Sequence, residues 1–369
     1  MGLKLGNYFL LTRPETPTSE VDGLIFDTNF ISAVYKWFTS SGKDIEAPPG
    51  LVEILMILRE KKMVHWQYGA LENAWKWQNV HEVTSENFDK VNPHLFNQIG
   101  LCIHTILLAS EEDFLQWILP SRDFSIPFMD RGKIPYFDEK LDHQSASELT
   151  EVVNSVWIQI LLLMKEIQDI QGSKDVQKLK FHYERWVKTY RGLGLPRYSD
   201  VELLAYMGIF GGTLENAFYR NSHSSKREVG RAQSAAELLK VEDWNRKGRA
   251  KIARNIAFDL LMFRYQHMQL SGLKQVDYEF VNVRPEKMAI ATGDNGMNAL
   301  SGALRKYHPI RGQLFPAEYR YPRDSIFVEN YPQLSDMSYF WDLRYTKPEY
   351  LPTLSELRNL LKSLIDDLA

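Results

Sequence analysis

Cysteine is almost missing: Cys102 is the only one in 369 residues. A single thiol excludes an intrachain disulfide and a Cys-based zinc cluster. Its setting, Leu101-Cys102-Ile103, reads as a buried structural position rather than a nucleophile. An excess of one charge is missing too. With 44 Lys and Arg against 47 Asp and Glu, the formal net charge is −3, so the whole molecule does not attract nucleic acid, and any such binding needs a local patch. The nine histidines are scattered without zinc spacing. There is also no long hydrophobic run. The most apolar stretch, Val152 to Met164, is about 13 residues, broken by Asn154, Ser155 and Gln159, too short for a bilayer span. Met1 to Arg13 has a short apolar run and no clean cleavage pattern for a signal peptide, so the protein is expected in the cytoplasm.

What is there is ordinary globular composition, 44% hydrophobic and 25% charged, enough for one large domain or two to three of usual size. Two stretches organise it. Leu24-Ile25-Phe26 reads as a short buried strand, and Phe30, Val34 and Trp37 then follow at helical spacing. Asp27 therefore falls at a strand-to-helix junction, where the carboxyl ends of parallel strands line a ligand crevice. Lys287 to Thr292 reads as a second buried strand, followed by Gly293-Asp294-Asn295-Gly296 and a helix with Met297, Leu300 and Leu304 on its apolar face. Asp294 thus repeats the arrangement. Both acids have a plainer reading, Asp27 or Thr28 as a helix cap and Asp294-Asn295-Gly296 as a turn.

Residues 1 to 20 have the composition of loops, and the fold proper is expected to start at Gly23. Ser40 to Gly50 reads as a linker, Leu51 to Lys62 as a helix, Met63 to Trp66 as a strand, and the segment around Leu71, Glu72 and Trp75 as a helix. From about Ser85 to Arg220 only helical periodicity remains, in Leu95 to Leu119, Glu148 to Gln171, Val176 to Tyr190 and Val201 to Phe218. Ser145 and Glu148 form a capping box before the longest apolar run. Residues 220 to 254 are rich in Lys and Arg, including Arg246, Lys247, Lys251 and Arg254, with Trp244 among them. A phosphate-tracking surface and a solvated helix face are equally good readings of that stretch. After His308 periodicity is weak, with one possible strand at Ser325 to Val328, until an amphipathic helix from Leu351 to Leu368.

Asp27-Thr28-Asn29 after the first strand and Thr292-Gly293-Asp294 after the later one resemble the opening and closing motifs of the PIN-domain nucleases, relatives of the flap endonucleases. The resemblance covers about residues 20 to 80 and 245 to 310. It implies an α/β fold, a PIN-like three-layer domain with a central mainly parallel sheet. A large all-helical insertion interrupts it: residues 20–84 and 241–310 form the core, 85–240 the insertion, and 311–369 an extension packed on the core. The family places a helical Glu and then a helical Asp between its two motifs, and Glu72 and Asp259 look like them. Asp27, Asp259 and Asp294 are then expected to hold Mg²⁺ or Mn²⁺, with Glu72 completing the site and Asn29 orienting a ligand or a water.

That chemistry suits the residue types. Phosphodiester hydrolysis needs an activated water and stabilised phosphoryl charge, and hard divalent cations held by carboxylates supply both. Asp259 is the only charge between Arg254 and Arg264, in an otherwise apolar helical run, and is costly there unless paired or metal-bound. Glu53, Asp200 and Glu202 are rival carboxylates. The expected activity is hydrolysis of RNA rather than DNA, by analogy with the family, with Arg246, Lys247, Lys251 and Arg254 on the substrate. A catalytically inactive PIN-like protein that binds RNA or a protein partner through the insertion and basic stretch is the alternative. A phosphatase with Asp27 as nucleophile ranks last, because the haloacid-dehalogenase-like pattern wants a second Asp where Asn29 stands.

Overall fold

The computed structural model describes residues 2–12, 18–40, 46–61, 64–78, most of 84–118 and 139–195, scattered positions from 201 to 244, and residues 248–268, 287–303 and 352–368. It is a mixed α/β protein whose chain forms two compact units. The first comprises Met1–Val80, Asp89–Thr150 and Leu261–Ser301; the second comprises His81–Phe88, Glu151–Leu260 and Gly302–Ala369.

A small mixed sheet is the centre of the first unit. Its strands are β1 (Leu3–Leu5), β2 (Tyr8–Leu11), β3 (Gly23–Phe26), β4 (Val64–His65) and β5 (Met288–Thr292), in the order β1-β2-β5-β3-β4. β3 pairs parallel with β5, Phe26 opposite Ala291, and with β4, Ile25 opposite His65. Every residue of β3 and β5 is buried, as the near-continuous apolar runs of strands covered on both faces require.

The other two strands correct the expectation that the fold starts at Gly23. β1 and β2 form a hairpin, and β2 adds antiparallel to β5 with Phe9 opposite Thr292. The turn between them is Gly6-Asn7, with Gly6 at φ 53°. Gly-Asn between apolar residues is a hairpin signal, which the loop-like composition of residues 12–20 overshadowed. The hairpin is tied down by Asn7, whose amide donates to the Pro49 carbonyl at 2.8 Å, and by Gly50 at φ 89°, where a Cβ would lie 1.9 Å from the Leu5 carbonyl oxygen.

Helices α1 (Thr28–Thr39), α2 (Leu51–Lys61), α3 (Gln67–Gln78), α4 (Pro93–Leu108) and α5 (Glu111–Trp117) belong to this unit. α1 buries Phe30, Ile31, Val34, Trp37 and Phe38, with the Phe30 ring 4.7 Å from Phe26 and 5.1 Å from Tyr8. α4 and α5 were expected in the insertion, yet they group with the sheet. The reason is α4's apolar face: Phe96 stacks on Trp66 at 5.2 Å, and a Cβ on Gly100 would lie 2.6 Å from the Trp66 ring. Arg59 of α2 also donates to the carbonyls of Ile106 and Ala109 at 2.6 and 2.9 Å. The α4–α5 break follows from Ser110, whose hydroxyl accepts from the Asp113 amide and caps α5.

The second unit is helical in its described residues. α6 (Glu139–Ile170) enters it at Glu151, and α7 (Val176–Gly192) follows. α6 runs without Gly or Pro and begins before Ser145, so the predicted Ser145–Glu148 capping box lies inside the helix. Val153, Trp157, Ile160, Leu161 and Met164 are all buried, as a core stripe should be. The Trp186 indole donates to the Gln159 carbonyl at 3.0 Å, setting α7 against α6. α8 (Arg249–Met268) begins in this unit, and α9 (Asn295–Ala303) follows β5 in the first. α10 (Leu354–Leu368) is capped reciprocally by Thr353 and Glu356 and buries Leu357, Leu361, Leu364 and Ile365. It groups with the helical unit rather than with the sheet. The predicted strand at Ser325 to Val328 lies outside the described residues. No described helix is long and apolar enough to cross a membrane.

Candidate functional site

Parallel pairing of β3 and β5 brings Asp27 and Thr292 to the same end of the sheet, and the Asp27 amide donates to the Ala291 carbonyl at 3.0 Å. Asp27 is the N-cap residue of α1 by position, with extended φ −71° and ψ 156°, and its carbonyl accepts from the Ile31 amide. Its side chain makes no capping hydrogen bond. Instead Oδ2 accepts from the Thr292 hydroxyl at 2.6 Å, and the residue is 1% exposed. An N-cap carboxylate ordinarily bonds the first free amides of its helix. Asp27 gives up that role and points across the strand ends.

Thr292 links the two predicted acidic motifs. Besides donating to Asp27, its oxygen accepts from the Asp294 amide at 2.9 Å and lies 3.6 Å from the Met297 sulfur. Asp294, half-buried, does cap its helix: its Oδ1 accepts from the Met297 amide at 3.0 Å. The plainer reading of Asp294-Asn295-Gly296 as a turn gives way to a helix cap, since Asn295 and Gly296 open the helix, and the Asp294 backbone is fixed next to Asp27 through one shared hydroxyl.

Glu72 reaches the same strand end from α3. A surface position is the default for a helical Glu, but Glu72 is 2% exposed and its Oε2 accepts from the Thr28 hydroxyl. Gly69, one turn earlier, makes this approach possible. A Cβ there would lie 2.6 Å from the Phe26 carbonyl oxygen and 3.1 Å from the Asp27 carbonyl carbon. Asn73 completes the contact, its Nδ2 donating to the carbonyls of Thr28 and Gly69 at 3.2 and 3.0 Å, while its Oδ1 accepts from Ser32 at 2.6 Å. Asn29 is exposed, with its Cβ beside Gly293. The strand end thus gathers Asp27, Glu72, Asp294 and Asn29 in one unit.

Other predicted residues belong to the second unit or lie outside the described residues. Asp259 is half-buried on α8, in the second unit, as is Lys251. Arg246 and Lys247 lie outside the described residues, as does Asp200. Arg254 was expected on the substrate and is 1% exposed, its guanidinium 5.9 Å from the Trp157 ring centre. A phosphate cannot reach a side chain buried in that way, one turn before the buried Phe258 on the same helix. Of the rival acids, Glu53 is exposed on α2, and Glu202 is buried and accepts from the Tyr190 hydroxyl at 2.5 Å.

A second acidic group went unnoticed in the sequence. Glu166 and Asp169 on α6 meet His182 and Arg185 on α7, with the ligand atoms of Glu166, Asp169 and His182 within 4.8 Å of one another. Arg185 Nη2 donates to Asp169 at 2.6 Å and lies 2.6 Å from Glu166 Oε2. Its Nε donates to both Glu166 oxygens, and His182 Nδ1 is 2.8 Å from Glu166. The hydrogen bond to Glu166 raises the Arg185 pKa further above its ordinary value. One guanidinium bonds both carboxylates and offsets part of their charge. The signal was two i, i+3 pairs, Glu166/Asp169 and His182/Arg185, on successive helices.

His65 ends β4 beside β3 and is fully buried against Tyr68, 4.9 Å between rings. Burial holds its pKa down to about 3, so the imidazole is neutral at pH 7. Cys102 is buried and its thiol pushed well up, which keeps it inert. Compared with known proteins, the chain matches no family model, no curated protein and no solved structure.

Proposed function

We propose that this chain is a metal-dependent nuclease, a PIN-like protein of three layers that hydrolyses phosphodiester bonds of RNA in the cytoplasm. The observation that carries the reading is Asp27. It is an acid at a helix N-cap that leaves its own helix uncapped and is pinned, nearly fully buried, by the Thr292 hydroxyl at the carboxyl end of two parallel strands. Burying a carboxylate costs several kcal/mol unless charge or hydrogen bonds compensate it.

Asp27, Glu72 and Asp294 offer only oxygen donors, the set that Mg²⁺ and Mn²⁺ prefer, and these three would hold the cation. When bound, it lowers the pKa of a coordinated water and stabilises the phosphoryl oxygens. The chain's own residues do the rest. Thr292 keeps the Asp27 carboxylate in one orientation, and Thr28 does the same for Glu72. A hydroxyl that donates to a carboxylate fixes it without cancelling its charge. Asn29, exposed beside Gly293, would orient a phosphate oxygen or a water.

The test is cleavage of labelled single-stranded RNA, structured RNA and DNA with Mg²⁺ or Mn²⁺. Loss of cleavage in folded Asp27→Asn and Asp294→Asn variants supports the site, and the substrate preference identifies the nucleic acid. Absence of cleavage of every substrate by the unmodified protein overturns the enzyme reading.

A further inference from the structure

The geometry points to Asn73 as the residue that positions Glu72 at the strand end, with Ser32 and Gly69 as its supports. This rests on reading Glu72 as a site carboxylate. Three facts converge on it. Asn73 is 3% exposed, so its polar atoms must find partners inside the protein. They find three, the carbonyls of Thr28 and Gly69 for Nδ2 and the Ser32 hydroxyl for Oδ1. Two of these partners, Thr28 and Ser32, are one turn apart on α1, so a single amide fixes the rotation of α3 against α1.

Thr28 is held twice by consecutive residues of α3. Its hydroxyl donates to Glu72, and its carbonyl accepts from Asn73. Neighbouring helical residues differ by about 100° in direction, so both contacts hold together only at one rotation of the helix. Gly69 sits three and four residues before the pair, on the same face, and leaves the backbone room they need. Asparagine suits the place chemically. Aspartate would set an oxygen against two carbonyl oxygens, and alanine would remove all three bonds. Asn73 touches no proposed reacting atom; it acts through Glu72.

The decisive experiment measures Mn²⁺ affinity by electron paramagnetic resonance in the unmodified protein and in Glu72→Gln, Asn73→Ala, Ser32→Ala and the double Glu72→Gln/Asn73→Ala variant. The Glu72 carboxyl titration is followed in parallel by ¹³C NMR, its signal assigned by its loss in Glu72→Gln. Asn73→Ala is expected to weaken Mn²⁺ by about tenfold, as groups that orient metal ligands do. Ser32→Ala, which removes one of the three bonds, is expected to weaken it less. In the Glu72→Gln background Asn73→Ala is expected to add almost nothing, and the Glu72 titration is expected to move in Asn73→Ala. An effect that simply adds to that of Glu72→Gln overturns the proposal. So does an unchanged titration in folded Asn73→Ala, or in Ser32→Ala if the first variant does not fold. If the unmodified protein binds no Mn²⁺, the nuclease reading falls, while the titration still decides whether Asn73 positions Glu72.

Discussion

Two groups of acids sit in the two units, and their partners differ in kind. At the end of the sheet, Asp27 and Glu72 accept hydrogen bonds from threonine hydroxyls, and Asp294 accepts from a backbone amide. Between α6 and α7, Glu166 and Asp169 accept from the guanidinium of Arg185, with His182 beside them. A guanidinium opposes a carboxylate's charge and closes the place a cation would take, whereas a hydroxyl or an amide only orients it. Counting nearby acids would rank the two groups alike. The hydroxyls of Thr28 and Thr292 orient the carboxylates of the first group, and Arg185 ties the two helices of the second together.

The sharpest way to break that comparison is to neutralise one acid in each group. Asp27→Asn is expected to lower RNA cleavage by at least a thousandfold, about 4 kcal/mol of transition-state stabilisation, with a small change in melting temperature. Glu166→Gln is expected to leave cleavage unchanged. Equal losses in single-turnover assays would place both groups in one function.

Acid should destabilise the sheet end. The folded pKa of His65 lies near 3, below the ordinary unfolded value of about 6.5, so the unfolded chain binds more protons between those limits. Stability from neutral His65 is complete above pH 6.5 and is lost as pH falls toward 3. At pH 4.5 the loss is on the order of 2–3 kcal/mol. Urea unfolding at pH 7 and 4.5 checks this, and His65→Phe should flatten that slope.

Gly69→Ala tests the approach of α3. The added methyl meets the Phe26 carbonyl oxygen at 2.6 Å, and α3 must move. Destabilisation of about 1–3 kcal/mol is expected, together with weaker Mn²⁺ binding. Full retention of both would show that the contact between α3 and the strand end is not needed. The smallest effect is expected from Arg185→Met. Its side chain is 40% exposed and that of Asp169 49%, while buried Glu166 keeps His182, so about 1 kcal/mol of stability should be lost. Cleavage should not change.

The strands β3 and β5 were legible because unbroken apolar runs of that length, each followed by a helical period, have few other solutions. Asp27 and Asp294 were legible for the same reason, since the position of an acid after a strand follows from the strand. The hairpin was not read, although Gly6-Asn7 marks it, because its partner β5 lies nearly 280 residues away. Arg254 was read as a surface charge because a basic stretch looks alike whether one of its arginines faces solvent or a tryptophan. Glu72 was named from the resemblance alone, against the default of a helical surface acid, because its burial depends on the close approach that Gly69 allows at the Phe26 carbonyl.

By itself the sequence determined the local directions: which segments are extended or helical, which faces are apolar, and which acids follow strands. Those depend on periodicities of two and 3.6 residues, which neighbouring positions suffice to express. Only the tertiary structure decided which hydroxyl meets which carboxylate, that α4 and α5 join the sheet, and that Arg185 closes one acidic group while threonines hold the other. Such contacts join residues from 16 to 265 positions apart, set by packing between elements that no local pattern encodes.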